Sequence, residues 1–388
     1  MMTENVLYVV DSLGLSGKTR ALTNLALNLD RDRFKPTVAT FAPLEGMLAE
    51  QLQAAGISVV HVPCEDGLRG RVLGRLLKLV RQIRPALIHC FNPRPMLYGG
   101  LAALAVRRPA IGTLSAFACM DGDREYKFLP QPLQTRSRRN RFRNYLLGRL
   151  LKRVATVSAR AGEAFCASNA IPVRKLRVIG YGVDIDGGRV EPGDVARMRT
   201  EIGAAPGVLL LGSVGRLVEQ KDYATQLIAF GQVARRWPVR MVIAGAGPLA
   251  EPLRKLAQTL GIADRVSWLG ERRDVPALLR CLDAFVIASK FEPFGVSVLE
   301  AMAAGLPIVS TDVNELPEIL DRGRAGVLVP AEQPEALATA LEQVSSDPGL
   351  RSRLGTHART VARTRYSLPA VVAAYTKLYD EVTSEGVQ

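Results

Sequence analysis

Short apolar, β-branched runs alternate along this chain with helix-length segments whose apolar positions recur every three to four residues. Seven runs occupy the first half, at 6–10, 37–41, 58–62, 86–90, 110–114, 154–157 and 176–180. Six occupy the second, at 208–214, 239–244, 266–269, 284–289, 307–310 and 326–329. Continuous apolar runs of this length mark parallel strands buried on both faces, with the intervening helices as crossovers. At 184–193 the rhythm breaks into Asp-Ile-Asp-Gly-Gly-Arg-Val-Glu-Pro-Gly, a composition suited to a linker. The expected architecture is α/β, with two doubly wound domains at 1–185 and 186–366. The last segment, 367–388, is an amphipathic helix expected to cross back onto the N-terminal domain and serve as part of a hinge. Ligands of such sheets sit at the carboxyl ends of the strands, and in a two-domain chain also in the cleft between domains.

Composition narrows the class. Of 388 residues, 48% are hydrophobic and 23% charged, which excludes a disordered chain. The longest apolar stretches, such as 95–106, fall short of the roughly 20 residues that span a bilayer. Glu4 precedes the first strand, where a signal peptide would carry basic residues. Five cysteines stand singly and histidine occurs three times, so neither a disulfide framework nor a zinc site is expected. A soluble, reduced, cytoplasmic protein follows as the expectation. Its charge is lopsided: residues 1–185 carry 28 Lys+Arg against 13 Asp+Glu, and the remainder 23 against 24. Such asymmetry predicts a polyanionic surface beside one domain only.

Four loops could carry chemistry. Asp11-Ser-Leu-Gly-Leu-Ser-Gly-Lys-Thr19 ends a strand and opens a helix, yet Ser12 stands where a P-loop needs its first glycine. The loop reads better as amides at a helix start facing an anion. Gly215-Arg-Leu-Val-Glu-Gln-Lys221 also leaves a strand for a helix, so Arg216 and Lys221 can flank one anionic site. Ala244-Gly-Ala-Gly-Pro248 is a tight strand-to-helix turn. In the fourth loop, Glu292 follows an apolar strand, Gly295 permits close backbone approach at a helix start, and Glu300 lies on that helix. Two carboxylates beside a phosphate-friendly helix start suit the hydroxyls of a sugar and a ribose.

Arg216 and Lys221, Gly245-Ala-Gly-Pro248, and Glu292-Pro-Phe-Gly-Val-Ser-Val-Leu-Glu300 together resemble the C-terminal signature of GT-B glycosyltransferases, specifically the retaining family four with its Glu-x7-Glu motif. Val154-Ala-Thr-Val-Ser158 and Gly182-Val-Asp184 extend the resemblance into the first half. It implies two Rossmann-like domains facing a central cleft and transfer of a sugar from a UDP- or GDP-sugar. The acceptor would be a saccharide or a lipid-linked molecule, in envelope polysaccharide or glycolipid synthesis. Arg216, Lys221 and Glu292 would be catalytic: the two cations on the donor diphosphate, the carboxylate on the transferred sugar. Gly17, Gly215, Gly247, Phe294, Gly295, Val296 and Glu300 would bind donor, Glu300 through the ribose. No cofactor is implied, and no metal, because cationic side chains and helix amides meet the diphosphate charge. Two rivals share the scaffold: a nucleotide-sugar epimerase, and a non-catalytic sugar- or lipid-binding protein with a decayed site.

The chain departs from the family at three places. The first loop reads Ser16-Gly17 for Gly-Gly, Tyr181 replaces an asparagine, and Ser115 stands where many members carry a histidine. Ser115 and His89 are the candidate acceptor-side residues. Two basic blocks remain. The segment 69–84 reads as a core-packed amphipathic helix with a solvated basic face. The segment 136–153 holds eight basic residues and no acid beside Phe142 and Tyr145, so peripheral contact with an anionic membrane leaflet is an open expectation. No nucleic-acid recognition module is present.

Overall fold

Val6, Tyr8 and Val10 face one side of the first strand and Leu7 and Val9 the other, and all five are buried. That double burial explains an apolar run without polar alternation. In the computed structural model, the described residues are 3–14, 17–64, 69–114, 146–168, 171–185, 190–292 and 294–385. Each of the thirteen apolar runs overlaps a strand, with ends that differ by up to three residues. The first seven, β1 (Glu4–Val10), β2 (Phe34–Thr40), β3 (Ser58–His61), β4 (Leu87–Phe91), β5 (Ala110–Leu114), β6 (Arg153–Thr156) and β7 (Leu176–Val178), form a parallel sheet of order β3-β2-β1-β4-β5-β6-β7. The other six, β8 (Leu209–Val214), β9 (Val239–Ala244), β10 (Val266–Gly270), β11 (Ala284–Ile287), β12 (Ile308–Thr311) and β13 (Gly326–Val329), run parallel as β10-β9-β8-β11-β12-β13. The order reverses between β1 and β4, and again between β8 and β11. Loops at the carboxyl ends of strands separate at such points and leave room for a ligand.

Two compact units result: Met1–Gly182 with Leu368–Gln388, and Val183–Ser367. In the first unit, helix Arg69–Ile83 buries Val72, Leu76 and Val80 and exposes Arg71, Arg75, Lys78 and Arg81, as its spacing predicts. Among the described residues no helix is long and apolar enough to cross a membrane.

The C-terminal helix Leu368–Ser384 belongs to the first unit and is held there by a buried polar chain. The Tyr379 hydroxyl lies 3.0 Å from the Tyr8 hydroxyl and 2.8 Å from His89 Nδ1. His89 Nε2 meets Thr113 Oγ1 at 2.6 Å, and that oxygen lies 3.3 Å from the Tyr375 hydroxyl. Tyr8, His89 and Thr113 come from the adjacent strands β1, β4 and β5, so the sheet presents three polar atoms to one helix face. At the rim, Arg153 binds Glu381 at 2.8 Å and also Glu385, Arg177 binds Glu381, and Arg33 binds Asp380 at 2.7 Å. Removing the hydroxyl that serves both His89 and Tyr8 strands two buried groups. Tyr379→Phe is therefore expected to lower the unfolding free energy by about 1–3 kcal/mol in urea titrations.

In the second unit a carboxylate plays the comparable part. Asp321 is buried, and accepts from His357 Nε2 at 2.8 Å, Arg324 at 2.8 Å and Arg365 at 3.2 Å. His357 and Arg365 lie on helix Pro348–Arg365, so the cluster pins that helix to the turn after Leu316–Ile319. The His357 hydrogen bond, with the arginines, holds the Asp321 carboxyl down to about 2. A depressed acid stabilises the fold fully above the ordinary carboxyl range and loses that contribution as pH falls through its folded value. Asp321→Asn should cost about 2 kcal/mol at pH 7, a difference that shrinks below about pH 4 and vanishes near pH 2 in acid-unfolding curves.

Candidate functional site

The second sheet places its chemistry at the carboxyl ends of β8, β9 and β11. After β8 the chain runs through Gly215 and Arg216 into a single 3-10 turn, Glu219–Lys221. Asp222, in the left-handed region at φ 45°, then caps helix Tyr223–Ala234 by accepting from the Thr225 amide at 3.3 Å and its hydroxyl at 2.8 Å. This cap turns the chain sharply and directs Lys221 toward the loop after β11. There Lys221 Nζ donates to Glu292 Oε2, joining residues 71 positions apart. Both side chains are mostly buried, 15% and 7% exposed.

Glu292 is held on every side. Ser289 Oγ donates to Oε2 at 3.3 Å and the Gly295 amide donates to Oε1 at 3.2 Å. Gly295 adopts φ 81° and precedes helix Val296–Ala303, whose first amides lack partners within the helix. A charge this deep is stable only when paired and hydrogen-bonded, and these three donors meet that requirement. Glu300 sits half-buried on the same helix. Phe294 is buried and packs edge-on against Tyr366, ring centroids 6.0 Å apart, so its side chain belongs to the core. Val296 opens the helix, half-buried. Arg216 is exposed and makes no ion pair among the described residues.

The glycines of the loops after β8 and β9 have a packing role beside any role in binding. The Gly215 amide donates to Ala244 C=O at 3.0 Å, Leu217 to Ala246 C=O at 2.9 Å, and Leu249 to Leu217 C=O at 3.1 Å. The two backbones lie so close that a Cβ on Gly247 would meet the Leu217 oxygen at 2.3 Å, and one on Gly245, at φ 145°, the Gly215 oxygen at 1.9 Å. Tyr223 closes the floor: its buried phenol, pushed up to about 12 by desolvation, donates to Gly215 C=O at 3.2 Å.

The remaining predicted residues lie in the first unit. Gly17 begins helix Gly17–Asn28, whereas residues 15–16 lie outside the described residues. Ser115 and positions 136–145 of the basic block also fall outside them. His89 is fully buried with both ring nitrogens engaged, and desolvation draws its pKa down to about 3. The imidazole is a neutral hinge-pin of the Tyr379 network, and that geometry assigns it to packing. Sequence reasoning passed over Ser289, Gln220 and Asn314, which line the Glu292 loop. Gln220 and Asn314 carry no signal in their spacing, because they act between loops distant in the chain, whereas Ser289 acts within the loop, three residues from Glu292.

A sequence profile for glycosyltransferase family 4 matches residues 15–186, and one for glycosyl transferases group 1 matches residues 194–361. The chain belongs to the group 1 glycosyltransferases. Three curated relatives illustrate the range. An uncharacterized glycosyltransferase of Methanocaldococcus jannaschii is 31% identical over 58% of this chain and 59% of its own. The lipopolysaccharide core biosynthesis glycosyltransferase LpsE of Rhizobium meliloti is 35% identical over 53% and 58%. The D-inositol 3-phosphate glycosyltransferase of Corynebacterium jeikeium is 34% identical over 54% and 53%. The chain thus spans a little over half the length of the curated relatives it matches. Solved structures share the GT-B fold over nearly the whole chain. Anabaena HepE in complex with UDP superposes with a TM-score of 0.81 at 20% identity, covering 97% of this chain and all of that one. A Rickettsia africae glycosyltransferase gives 0.82 at 17%, covering 98% of each.

The interlocked glycine loops of this group 1 glycosyltransferase yield a direct test. Gly245→Ala and Gly247→Ala should each destabilise by about 2 kcal/mol or more, since backbone atoms must move to admit a methyl. Gly193→Ala, where nothing lies within 4 Å of the added carbon, should stay within about 0.5 kcal/mol of wild type in the same thermal melts.

Proposed function

We propose that the protein transfers a sugar from a UDP- or GDP-sugar to a saccharide or lipid-linked acceptor with retention of anomeric configuration, in cell-envelope or exopolysaccharide synthesis. The observation that carries this reading is the Lys221–Glu292 pair, set beside the Gly295 helix start with Arg216 exposed on the same strand end. Arg216 and Lys221 meet the two phosphates of the donor, and the first amides of helix Val296–Ala303 add a third positive pole. As the bond between the sugar's anomeric carbon and the diphosphate breaks, charge grows on the leaving oxygen, and these groups stabilise it. The acceptor oxygen bonds to the same face of that carbon, and its proton passes to the departing phosphate. Glu292, already anchored through three donors, accepts from hydroxyls of the transferred sugar, and Glu300 from those of the ribose. Because two cations and a helix start supply the positive charge, turnover is expected to persist in EDTA.

Donor binding falls to the C-terminal unit and acceptor binding to the N-terminal one. HepE structures holding UDP and UDP-glucose favour uridine as the base, and LpsE, named for lipopolysaccharide core synthesis, favours an envelope acceptor. A basic N-terminal half suits a lipid-linked acceptor at an anionic leaflet. Sedimentation with phosphatidylglycerol vesicles, but not with phosphatidylcholine vesicles, would support that contact.

The decisive experiment supplies a panel of UDP- and GDP-sugars in EDTA and follows release of nucleoside diphosphate. Arg216→Ala should cut turnover about 100-fold or more while leaving the melting temperature unchanged, because the side chain is exposed. Lys221→Ala should cut it at least as far and also destabilise, since it strands Glu292. Near-wild-type turnover in both variants would remove the donor-site assignment.

A further inference from the structure

The peptide unit that leads into Glu292 is gripped from both sides. Its carbonyl, on Phe291, accepts from Gln220 Nε2 at 2.7 Å. Its amide, on Glu292, donates to Asn314 Oδ1 at 3.0 Å. A carbonyl only accepts and an amide N–H only donates, so the chemistry of the peptide alone orients both side-chain amides. The grip follows from sheet order. β11 lies between β8 and β12, so the loop after it is flanked by the loops that follow its two neighbours. Gln220 comes from the first of these and Asn314 from the second. Two further bonds run the same way: Lys290 N–H donates to Gln220 C=O at 2.9 Å, and Thr311 Oγ1 donates to Ser289 C=O at 2.8 Å.

Both residues bear marks of constraint. Gln220 is buried and spends its one tethered amide hydrogen bond on the Phe291 carbonyl, while its Oε1 has no partner among the described atoms. Asn314 is exposed but sits at φ 51°, in the left-handed region that few residues other than glycine enter. Its side chain would be free in solvent were it not turned inward to the Glu292 amide.

We propose that Gln220 and Asn314 are positioning residues that fix the 291–292 peptide plane and so aim the Glu292 carboxylate at the donor sugar. The proposal rests on the reading of Glu292 as the sugar contact. The Gly295 amide, Ser289 and Lys221 hold the carboxylate end, and the amide clamp holds the backbone end. Lys221 follows Gln220 directly, so the same clamp registers the ammonium against the carboxylate.

Asn314 allows the clamp to be separated from backbone strain. Asn314→Gly relieves the left-handed conformation but removes the acceptor. Asn314→Asp keeps an acceptor at the same place and also tolerates that conformation. Gln220→Met keeps the length of the side chain without its donor. Hydrogen exchange of the Glu292 amide in the ligand-free protein reads the clamp itself. Exchange should quicken about 10-fold or more in Asn314→Gly and stay near wild type in Asn314→Asp. With the nucleotide sugar that turns over best, kcat should fall about 10-fold or more in Asn314→Gly and Gln220→Met, and about 3-fold or less in Asn314→Asp. Affinity for the bare nucleoside diphosphate should hold in both Asn314 variants, which leave the loop carrying Arg216 and Lys221 unchanged.

Wild-type exchange and kcat in Asn314→Gly would overturn the proposal and leave a purely conformational role for Asn314. Quickened exchange with unchanged kcat would show a clamp that does not position the reacting carboxylate, and would also overturn it. A wild-type protein that turns over no UDP- or GDP-sugar would instead sink the functional reading and this positioning role with it. The exchange result would then still report whether the clamp exists.

Discussion

The C-terminal unit is organised around keeping one carboxylate charged inside a protein. Glu292 is 7% exposed at its side chain, and removing an ion from water costs several kcal/mol unless its lone pairs are filled. They are filled by Lys221, Ser289 and the Gly295 amide, and each demands something of the fold. Lys221 needs the Asp222 cap to turn the chain. Gly295 needs a left-handed backbone, which its missing side chain permits. Ser289 needs the loop to fold back, which the Thr311 hydroxyl secures. The parallel order β8-β11-β12 brings the contributing loops to one edge. A sheet with another order would hold the same residues and leave the charge unsatisfied.

The N-terminal unit solves a different problem by related means. Its last helix arrives from the far end of the chain and must find one seat on the sheet. Apolar contacts through Val371, Tyr375, Leu378 and Tyr379 supply the burial, but they are tolerant of small shifts. The chain of hydroxyls and imidazole through Tyr379, His89 and Thr113 accepts only one register, because a slip would leave buried polar atoms without partners. The acidic end of the helix then meets Arg33, Arg153 and Arg177. Part of the basic surplus of this half thus serves the fold internally.

The inner strands were legible because the sheets bury them on both faces, so hydrophobicity alone marks them, whereas the edge strands β3 and β7 are only partly buried and were read from short β-branched runs. The placement of Arg216, Lys221, Glu292, Gly295 and Glu300 on two strand-to-helix connections was legible as spacing. Gly247 was read as a binding residue, and its backbone contact with Leu217 adds a packing demand that spacing cannot express. His89 was a candidate for acceptor chemistry on its place at a strand end. Its burial came into view only when Tyr379, 290 residues away, was seen to cover it.

Sequence by itself determined the alternation of buried strand and helix, the tandem division of the chain, and the chemical types gathered in each loop. These are local properties, encoded in the periodicity and identity of neighbouring residues. Only the tertiary structure decided that Lys221 pairs with Glu292, that Gln220 and Asn314 grip one peptide from two sides, and that the final helix neutralises arginines of the first half. Those contacts join positions from 22 to more than 300 residues apart. They depend on which strands lie side by side, and strand order is set by the packing of the whole unit.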